Sequence, residues 1–335
     1  MTLRLGYKAS AEQFGPQELL DLAALAEERG FDSVWVSDHY QPFRHTDGHA
    51  PNSLAWLGAA TQRTRRVPVG TSVLTPTFRY HPAVVAQAFA TLDRLAPGRL
   101  ILGLGTGESM NEVPVTGLEW PEFKERFARL REAVELIRKL WSEDFVSFEG
   151  EFYKTRDVTL YDKPSRGFVP IYIGASGEMV ARYAGRVADG FICTSGKGME
   201  LYSEKLLPAV REGAEKAGRD YDAILKTIEM KVSYDHDRER ALEDTKLWAP
   251  LALPAEDKVG VEDPRELEKR AKAIEDQAHR RWLVADNPEE HLEQLRPYFE
   301  LGFQELVFHS PTDRQEDFLT LYSEEILPRL REHWG

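Results

Sequence analysis

Three histidines follow the second predicted strand, in the stretch VSDHYQPFRHTDGHAP of residues 36–51. They are His39, His45 and His49, and Asp38 precedes the first of them. A metal site needs several ligands with converging geometry, and the chain offers neither an HExxH motif nor a second cluster rich in His, Cys and Asp. Imidazole titrates near neutral pH, so His39 fits a positioned acid–base group better. We therefore predict no metal site, and we interpret His45 and His49 as loop residues that make hydrogen bonds.

A carboxylate directly follows the glycine-rich run GLGTG of residues 103–107. Backbone N–H groups crowd at such a run and a ligand can approach closely, which makes Glu108 a candidate partner of His39 in handling two protons of a redox reaction. The alternative, an ion-paired Glu108 on the surface, is equally compatible with the spacing. The glycines are spaced by two, so the run does not match the G-x-G-x-x-G fingerprint, and nicotinamide binding is disfavoured.

Composition excludes several classes of protein. With 43 basic and 56 acidic residues the chain carries a formal charge of −13, which argues against nucleic-acid binding. An anionic ligand would therefore need specific Lys or Arg residues. The single cysteine, Cys193, lies in the apolar run GFICTS and is interpreted as a small buried hydrophobic residue. No run approaches the roughly 20 apolar residues of a membrane span, and the N-terminal stretch does not resemble a signal peptide, so we expect a cytoplasmic protein.

The elements that must position these groups alternate between strand and helix. Strands are predicted at 3–9, 32–38, 67–75, 99–107, 169–176, 190–195, 223–235 and 305–311, and helices at 16–30, 52–63, 81–98, 122–141, 178–188, 199–217 and 314–332. Eight buried-type strands in this order favour an α/β fold of the (β/α)₈ TIM-barrel class over an open doubly wound sheet. We predict one domain, 1–335, with a hairpin insertion near 145–155, turning at Glu149–Gly150, and a helical and loop insertion near 237–285.

Barrel enzymes place their sites at the carboxyl ends of the strands, where this sequence concentrates polar residues. The predicted seventh strand, TIEMKVS, puts Thr227, Glu229 and Lys231 on one face. These side chains either fill the barrel interior or belong to the pocket, and the pattern alone leaves both interpretations open.

Several motifs resemble one known family. The runs GYKASAEQF, SDH-x-QP-x-RH-x-x-GHAP, GTSVLTPTFRY, GTGE-x-x-NEV and YAGR-x-x-DGFICTSGKG are similar to those of the coenzyme F420-dependent glucose-6-phosphate dehydrogenases, in the luciferase-like superfamily of flavin and deazaflavin barrel enzymes. The resemblance covers nearly the whole chain. It implies hydride transfer from C1 of a sugar 6-phosphate to C5 of coenzyme F420, which gives the lactone and the reduced coenzyme. It also implies a homodimer.

The resemblance implies a role for individual residues. The deazaflavin and its phosphorylated tail would be held by Asp38, Thr75, Thr106, Asn111, Ser176, Gly177, Met179 and Val180. The acid–base pair would be His39 and Glu108, with the identity of the base left open. The sugar and its phosphate would contact Glu12, Phe43, Thr194, Lys197, Lys258 and Arg281. A cis peptide is expected at Ser72–Val73.

Two positions depart from the family pattern. Ser176 replaces the more usual glycine beside Gly177, which predicts altered contacts with the coenzyme tail. Phe43 replaces the usual tryptophan next to the sugar, so the indole N–H is lost and selectivity for glucose should relax. Two alternative functions are an FMN- or F420-dependent luciferase-like monooxygenase or reductase with another substrate, and a carrier that binds the cofactor without turnover.

Overall fold

Eight parallel strands close into a barrel in the computed structural model, which describes residues 3–335 apart from the side chain of Ala255. The strands of the chain are β1 Arg4–Ala9, β2 Ser33–Val36, β3 Val69–Thr71, β4 Leu100–Leu104, β5 Val146–Glu149, β6 Lys154–Val158, β7 Ile171–Gly174, β8 Gly190–Thr194, β9 Leu225–Tyr234, β10 Leu283–Ala285 and β11 Glu305–His309. Around the barrel the order is β1, β2, β3, β4, β7, β8, β9 and β11, and β11 pairs with β1 to close the ring. The predicted TIM-barrel class is confirmed.

Helices separate the strands at every position where the pattern predicts one. The α-helices span Pro16–Glu28, Ser53–Arg63, Pro82–Leu95, Ser109–Thr116, Phe123–Ser142, Glu178–Val187, Leu207–Lys216, Arg238–Thr245, Ala249–Ala252, Ala255–Lys258, Pro264–Ala271, Pro288–Glu300, Gln315–Leu321 and Leu327–Trp334. Turns of π-helix occupy Leu201–Leu206 and Tyr322–Ile326, and 3₁₀ turns occupy Lys246–Trp248 and Lys272–Arg281. None of the helices in the described part of the chain is long and apolar enough to cross a membrane.

The helix Pro16–Glu28 illustrates how local sequence signals define the start, the buried face and the end of a helix. Proline occupies its first turn, where the missing N–H is not needed. Leu19, Leu22 and Ala26 recur at helical spacing and are buried against the barrel. Gly30 follows with φ of 89°, a left-handed conformation that glycine adopts without strain and that ends the helix.

The interruptions of the barrel differ in detail from the prediction. The hairpin β5–β6 is present, but Glu149 pairs with Lys154, so the turn spans residues 150–153 rather than Glu149–Gly150. The carboxylate of Glu132 stabilises this wider turn by accepting hydrogen bonds from the backbone N–H groups of Phe152 and Tyr153, at 3.0 and 2.6 Å. In the second insertion the predicted helices are joined by strand β10, which pairs in parallel with the carboxyl end of β9.

Each glycine of the GLGTG run has a local reason. A Cβ at Gly103 would lie 1.9 Å from the carbonyl oxygen of Thr71, and one at Gly105 would lie 2.6 Å from a methyl group of Val73. Gly107 has φ of 86°. The run therefore lets β4 approach β3 closely and then turn, which is a structural use of glycine at the mouth of the barrel. The peptide bond between Ser72 and Val73 is cis, as the resemblance implies.

Candidate active site

The segments that follow β1 and β2 form one wall at the carboxyl mouth. Glu12 Oε1 lies 3.6 Å from Nδ1 of His39, a partly buried ion-pair distance rather than a hydrogen bond. The other Glu12 oxygen accepts a hydrogen bond from the backbone N–H of Phe43 at 3.3 Å. The rings of His39 and Phe43 meet edge to face with centroids 5.1 Å apart. Glu12, His39 and Phe43 are thus brought together, and the carboxylate faces Nδ1 of the imidazole.

Asp38 is held in a buried network with Arg79. Its Oδ2 accepts from Arg79 at 2.6 Å, and its Oδ1 accepts from the hydroxyls of Ser53 and Tyr80 at 2.6 and 3.2 Å. Arg79 also pairs with Glu112 at 3.2 Å. Burial disfavours the charge of Arg79, but the two carboxylates outweigh it and raise its pKa, whereas burial raises the pKa of Glu112. The Asp38 carboxylate is therefore engaged by protein groups and anchors the end of β2.

Asn111 connects the loop after β2 with the loop after β4. Its side-chain oxygen accepts hydrogen bonds from the backbone N–H groups of Tyr40 and Gln41, at 2.8 and 3.2 Å. Its side-chain nitrogen lies 3.5 Å from Oε2 of Glu108, which is exposed at the start of the helix Ser109–Thr116. This amide holds the loops of the two predicted acid–base residues side by side.

Lys197, Lys258 and Arg281 come together although they are distant in the sequence. Burial lowers the pKa of all three, and the pKa values of Lys197 and Lys258 are lowered further by the positive charge of Arg281. Gly196 lies over the backbone of Arg281, since a Cβ at Gly196 would be 2.6 Å from that carbonyl oxygen. Nowhere in residues 3–335, as described, does any of the three form an ion pair, and Arg281 Nε is buried without a hydrogen-bond partner. Such a cluster attracts an anion.

The interior of the barrel is filled by a charged network centred on Glu229. The carboxylate lies 2.8 Å from Lys8 Nζ and 3.4 Å from Lys231 Nζ, and it accepts a hydrogen bond from Ser72 Oγ at 3.2 Å. Burial disfavours its charge, but the two lysines outweigh that effect and hold the pKa of Glu229 well below its usual value. Lys231 Nζ also donates to Thr194 Oγ1. The seventh-strand residues therefore fill the interior, and one of them also reaches the predicted substrate site.

His309, at the end of β11, lies between two tryptophans that the sequence reasoning missed. The indole of Trp248 is 4.7 Å and that of Trp282 is 5.2 Å from the imidazole centroid, both tilted edge-on. Burial lowers the pKa of His309 to about 4, so the ring is neutral at pH 7. Its Nδ1 lies 3.5 Å from Glu229 Oε1, which is the only polar contact of its ring nitrogens among the described residues, and Trp282 Nε1 is buried without a hydrogen-bond partner. The motifs WAPL and RRW contain these tryptophans and were a usable signal for an aromatic wall.

The remaining predicted residues surround the helix Glu178–Val187 and the GLGTG loop. Thr75 is buried beside Gly107, and Thr106 is partly buried. Ser176, Gly177 and Met179 are exposed and Val180 is buried at the start of the helix. No side chain caps this N-terminus, and a Cβ at Gly177 would meet no atom within 4 Å. Backbone N–H groups at a helix N-terminus bind anions well.

The other histidines of the opening stretch do not join His39. The backbone N–H of His45 donates to Glu268, and that of His49 donates to the carbonyl oxygen of Glu12. Both residues are exposed. Among the residues that the structure describes there is no cluster of three or more His, Cys, Asp or Glu side chains arranged to hold a metal ion.

Comparison with known proteins defines the class. A family model described as luciferase-like monooxygenase matches residues 2–305, and the chain belongs to this family. Within it, the chain is similar to a protein of Nakamurella multipartita named F420-dependent glucose-6-phosphate dehydrogenase, at 62% identity over 98% of this chain and 97% of the relative. A protein of Rhodococcus jostii named F420-dependent glucose-6-phosphate dehydrogenase 1 is 60% identical over 99% of both chains.

Solved structures agree with this placement. A structure described as an F420-dependent secondary alcohol dehydrogenase in complex with an F420–acetone adduct superposes with a TM-score of 0.91 at 34% identity, over 97% of this chain and 98% of that one. A coenzyme F420-dependent tetrahydromethanopterin reductase from Methanopyrus kandleri shares the fold, with a TM-score of 0.80 at 23% identity.

The Arg79 network generates a stability prediction. Arg79→Met leaves Asp38 and Glu112 buried without their cation, which should lower the free energy of unfolding by about 3–5 kcal/mol at pH 7 in urea titrations. In the folded variant the carboxylates resist ionisation, so their pKa values rise above the unfolded ones, and part of the lost stability should return as the pH falls toward 5.

Arg63→Met is the matched control for this change. Arg63 pairs with Asp21 at the surface at 3.3 Å, and its loss should change the free energy of unfolding by at most about 1 kcal/mol. An equal loss in Arg79→Met at pH 5 and pH 7 would show that unpaired carboxylates are not its cause.

Proposed function

We propose that the protein is a coenzyme F420-dependent dehydrogenase of sugar 6-phosphates, with glucose 6-phosphate as a substrate. The observation that carries the proposal is the cluster of Lys197, Lys258 and Arg281. None of these cations forms an ion pair in the described structure, although the chain as a whole is acidic. A phosphate dianion satisfies such a cluster. The names of the relatives at 58–62% identity give the same reaction. The luciferase-like monooxygenase alternative offers no reason for these cations.

The residues present fit the deazaflavin coenzyme. The uncapped N-terminus of the helix Glu178–Val187, with Ser176, Gly177, Met179 and Val180 around it, suits the phosphorylated tail. We propose that Thr75, Thr106 and Asn111 hold the ring system. Asp38 contributes mainly by fixing the end of β2, because Arg79, Ser53 and Tyr80 already engage its carboxylate. When bound, coenzyme F420 supplies the deazaflavin whose C5 accepts the hydride.

The protein's own groups then bind and move protons. His39, whose Nδ1 lies 3.6 Å from Glu12, takes or stabilises the proton of the sugar C1 hydroxyl, and Glu108 delivers a proton on the coenzyme side. The absence of an ion pair of Glu108 within 4 Å among the described residues favours this role over the salt-bridged alternative, although the Glu108 charge partly offsets the lowering of the pKa of Lys258. Phe43 forms the apolar wall beside the sugar, and Thr194 and the cations bind the phosphate.

We further propose that the chain folds as one domain and acts as a cytoplasmic homodimer. The resemblance supports the dimer, and the β9–β10 pairing, which ties the second insertion to the barrel, supports the single domain. Sedimentation of a single 38.2 kDa species would contradict the dimer.

The direct test is loss of the visible absorbance band of oxidised F420 on addition of glucose 6-phosphate. We expect activity with fructose or mannose 6-phosphate as well, because Phe43 lacks an indole donor, and almost none with free glucose. Phe43→Trp should shift the preference toward glucose 6-phosphate. No bleaching with any sugar phosphate would refute the proposal, and oxygen-dependent turnover with FMN would support the monooxygenase alternative.

The acid–base pair generates a second prediction. His39→Ala and Glu108→Ala should each lower turnover by about 10²–10⁴, while F420 affinity stays within a few-fold, because proton transfer is lost and binding surface is kept. His45→Ala, an exposed position in the same loop, is the control and should stay within a few-fold of the wild type. Full activity in Glu108→Ala would remove that residue from the mechanism, and tight F420 binding without turnover in the wild type would support a carrier.

The cation cluster generates a third prediction, which depends on pH. Lys258→Ala or Arg281→Ala should raise KM for glucose 6-phosphate by about 10- to 150-fold, the loss of one charge-assisted hydrogen bond. The pKa values of Lys197 and Lys258 lie below the ordinary 10.5, so these lysines lose their charge at a lower pH than exposed lysines do. KM should therefore begin to rise at a lower pH than the titration of an exposed lysine would give.

Lys205→Ala, an exposed lysine in the π-helical turn, is the control and should leave KM within about twofold. A KM that stays flat until the pH reaches the ordinary lysine range would contradict the proposed role of the buried cations.

A further inference from the structure

The charges inside the barrel do not balance. Lys8 and Lys231 bring two positive charges to one carboxylate, Glu229, and His309 is neutral because burial lowers its pKa to about 4. Lys8 is the nearer partner of Glu229, at 2.8 Å against 3.4 Å for Lys231. Lys8 alone can therefore neutralise Glu229. The positive charge of Lys231 then has no carboxylate of its own, in an interior where buried charges are normally paired.

The second contact of Lys231 has a definite chemical direction. Its ammonium donates to Thr194 Oγ1, and an ammonium has no acceptor atom. The Thr194 oxygen must therefore be the acceptor, and its own O–H must donate to another group. No acceptor for that proton lies among the hydrogen bonds of the described residues. The hydroxyl is thus set to donate to a ligand.

The end of β8 that carries Thr194 is held rigidly. The hydroxyl of Tyr202, in the π-helical turn Leu201–Leu206, donates to the carbonyl oxygen of Thr194 at 2.8 Å. The backbone N–H of Lys231 donates to the hydroxyl of Ser195 at 2.8 Å. Helix segments with π turns often mark functional positions. The Thr194 side chain is therefore fixed by contacts on its backbone and on its oxygen.

The direction of this hydroxyl agrees with the nearby charges. Gly196, two residues further along, lies over the backbone of Arg281, and Lys197 follows directly. The positive charge of Lys231 lowers the pKa of Lys258, and that of Arg281 lowers the pKa of Lys231. These groups therefore lie close together. A phosphate dianion has only acceptor oxygens, which match a hydroxyl forced to donate.

We propose that Lys231 is a positioning residue for the phosphate of the substrate: it donates to Thr194 Oγ1 and so directs the Thr194 hydroxyl proton toward the phosphate. The proposal rests on the proposed function, because it assumes a phosphorylated substrate. It assigns to a side chain in the barrel interior, 5% exposed, a role in affinity rather than in stability alone.

The test is a double-mutant cycle on the full-length protein with saturating F420. Lys231→Met, Thr194→Val and the double variant are compared with the wild type for kcat and KM with glucose 6-phosphate and for inhibition by inorganic phosphate. We expect each single change to raise KM and the phosphate inhibition constant by about 10- to 100-fold, with kcat within about threefold. The double variant should be within about threefold of the weaker-binding single variant, because Lys231 acts through Thr194.

Conservative variants separate this role from a structural one. Thr194→Ser keeps the hydroxyl and should keep KM within about threefold of the wild type. Should Lys231→Met fail to fold in urea titrations, Lys231→Gln, which keeps a donor and removes the charge, takes its place in the cycle.

The outcomes are distinguishable from those of the proposed function. If the wild type is active, two results would overturn the role of Lys231 alone. The effects of the two single changes on KM could multiply in the double variant, or Lys231→Met could lower kcat and leave KM unchanged. If the wild type reduces F420 with none of the sugar phosphates tested, titration calorimetry with inorganic phosphate still measures the anion site directly. Coupled losses of phosphate binding would then support the anion site although the proposed function fails, and no phosphate binding would overturn both.

Discussion

A buried carboxylate must be paired with charges and hydrogen-bond donors, and in this barrel that requirement falls on Glu229. Its partners come from β1 through Lys8, from the turn after β3 through Ser72, and from β9 itself through Lys231. The network continues through Lys231 to Thr194 on β8. Because one carboxylate joins four segments of the ring, the heights of their carboxyl ends relative to one another are fixed. The polar groups of the mouth depend on that alignment.

A second buried network fixes the other side of the mouth. Asp38 precedes His39 and was expected to touch the cofactor, yet its two oxygens are engaged by Arg79, Ser53 and Tyr80. A position in a recognised motif can thus contribute through the backbone it holds. Here the anchored end of β2 presents His39 to Glu12, and Asn111 joins the next loop to it. The mouth is organised by polar groups that face inward as much as by those that face a ligand.

The barrel was predictable because its signals are local. The eight barrel strands and most of the helices between them show the apolar period of their own residues, whereas β10 is three residues long and pairs only with the extended end of β9. The helix Ser109–Thr116 was missed because it is short and contains Pro114. The helix Pro288–Glu300 could have been found, since Asn287 caps it and Pro288 opens it. Strand-end rules also predicted that polar groups such as His39 and Glu108 gather at one mouth.

The assembled site required more than local signals. Lys258 and Arg281 reach Lys197 only through the fold of the insertion, and no spacing in the sequence encodes that approach. Resemblance to a family supplied those residues. The contacts of Trp248 and Trp282 with His309 were missed for the same reason, although the motifs WAPL and RRW draw attention to both tryptophans.

The insertion also separates two tasks within one chain. The proposed coenzyme contacts lie on the barrel's own loops and on the helix Glu178–Val187, whereas Lys258 and Arg281 belong to the segment between β9 and β10. On the proposed roles, changes in that segment would act on the phosphate of the substrate and leave the coenzyme contacts in place. A barrel of this kind can acquire a new substrate by exchange of one peripheral module. The F420-dependent secondary alcohol dehydrogenase, with the same architecture at 34% identity, is named for the same coenzyme and for a different class of substrate.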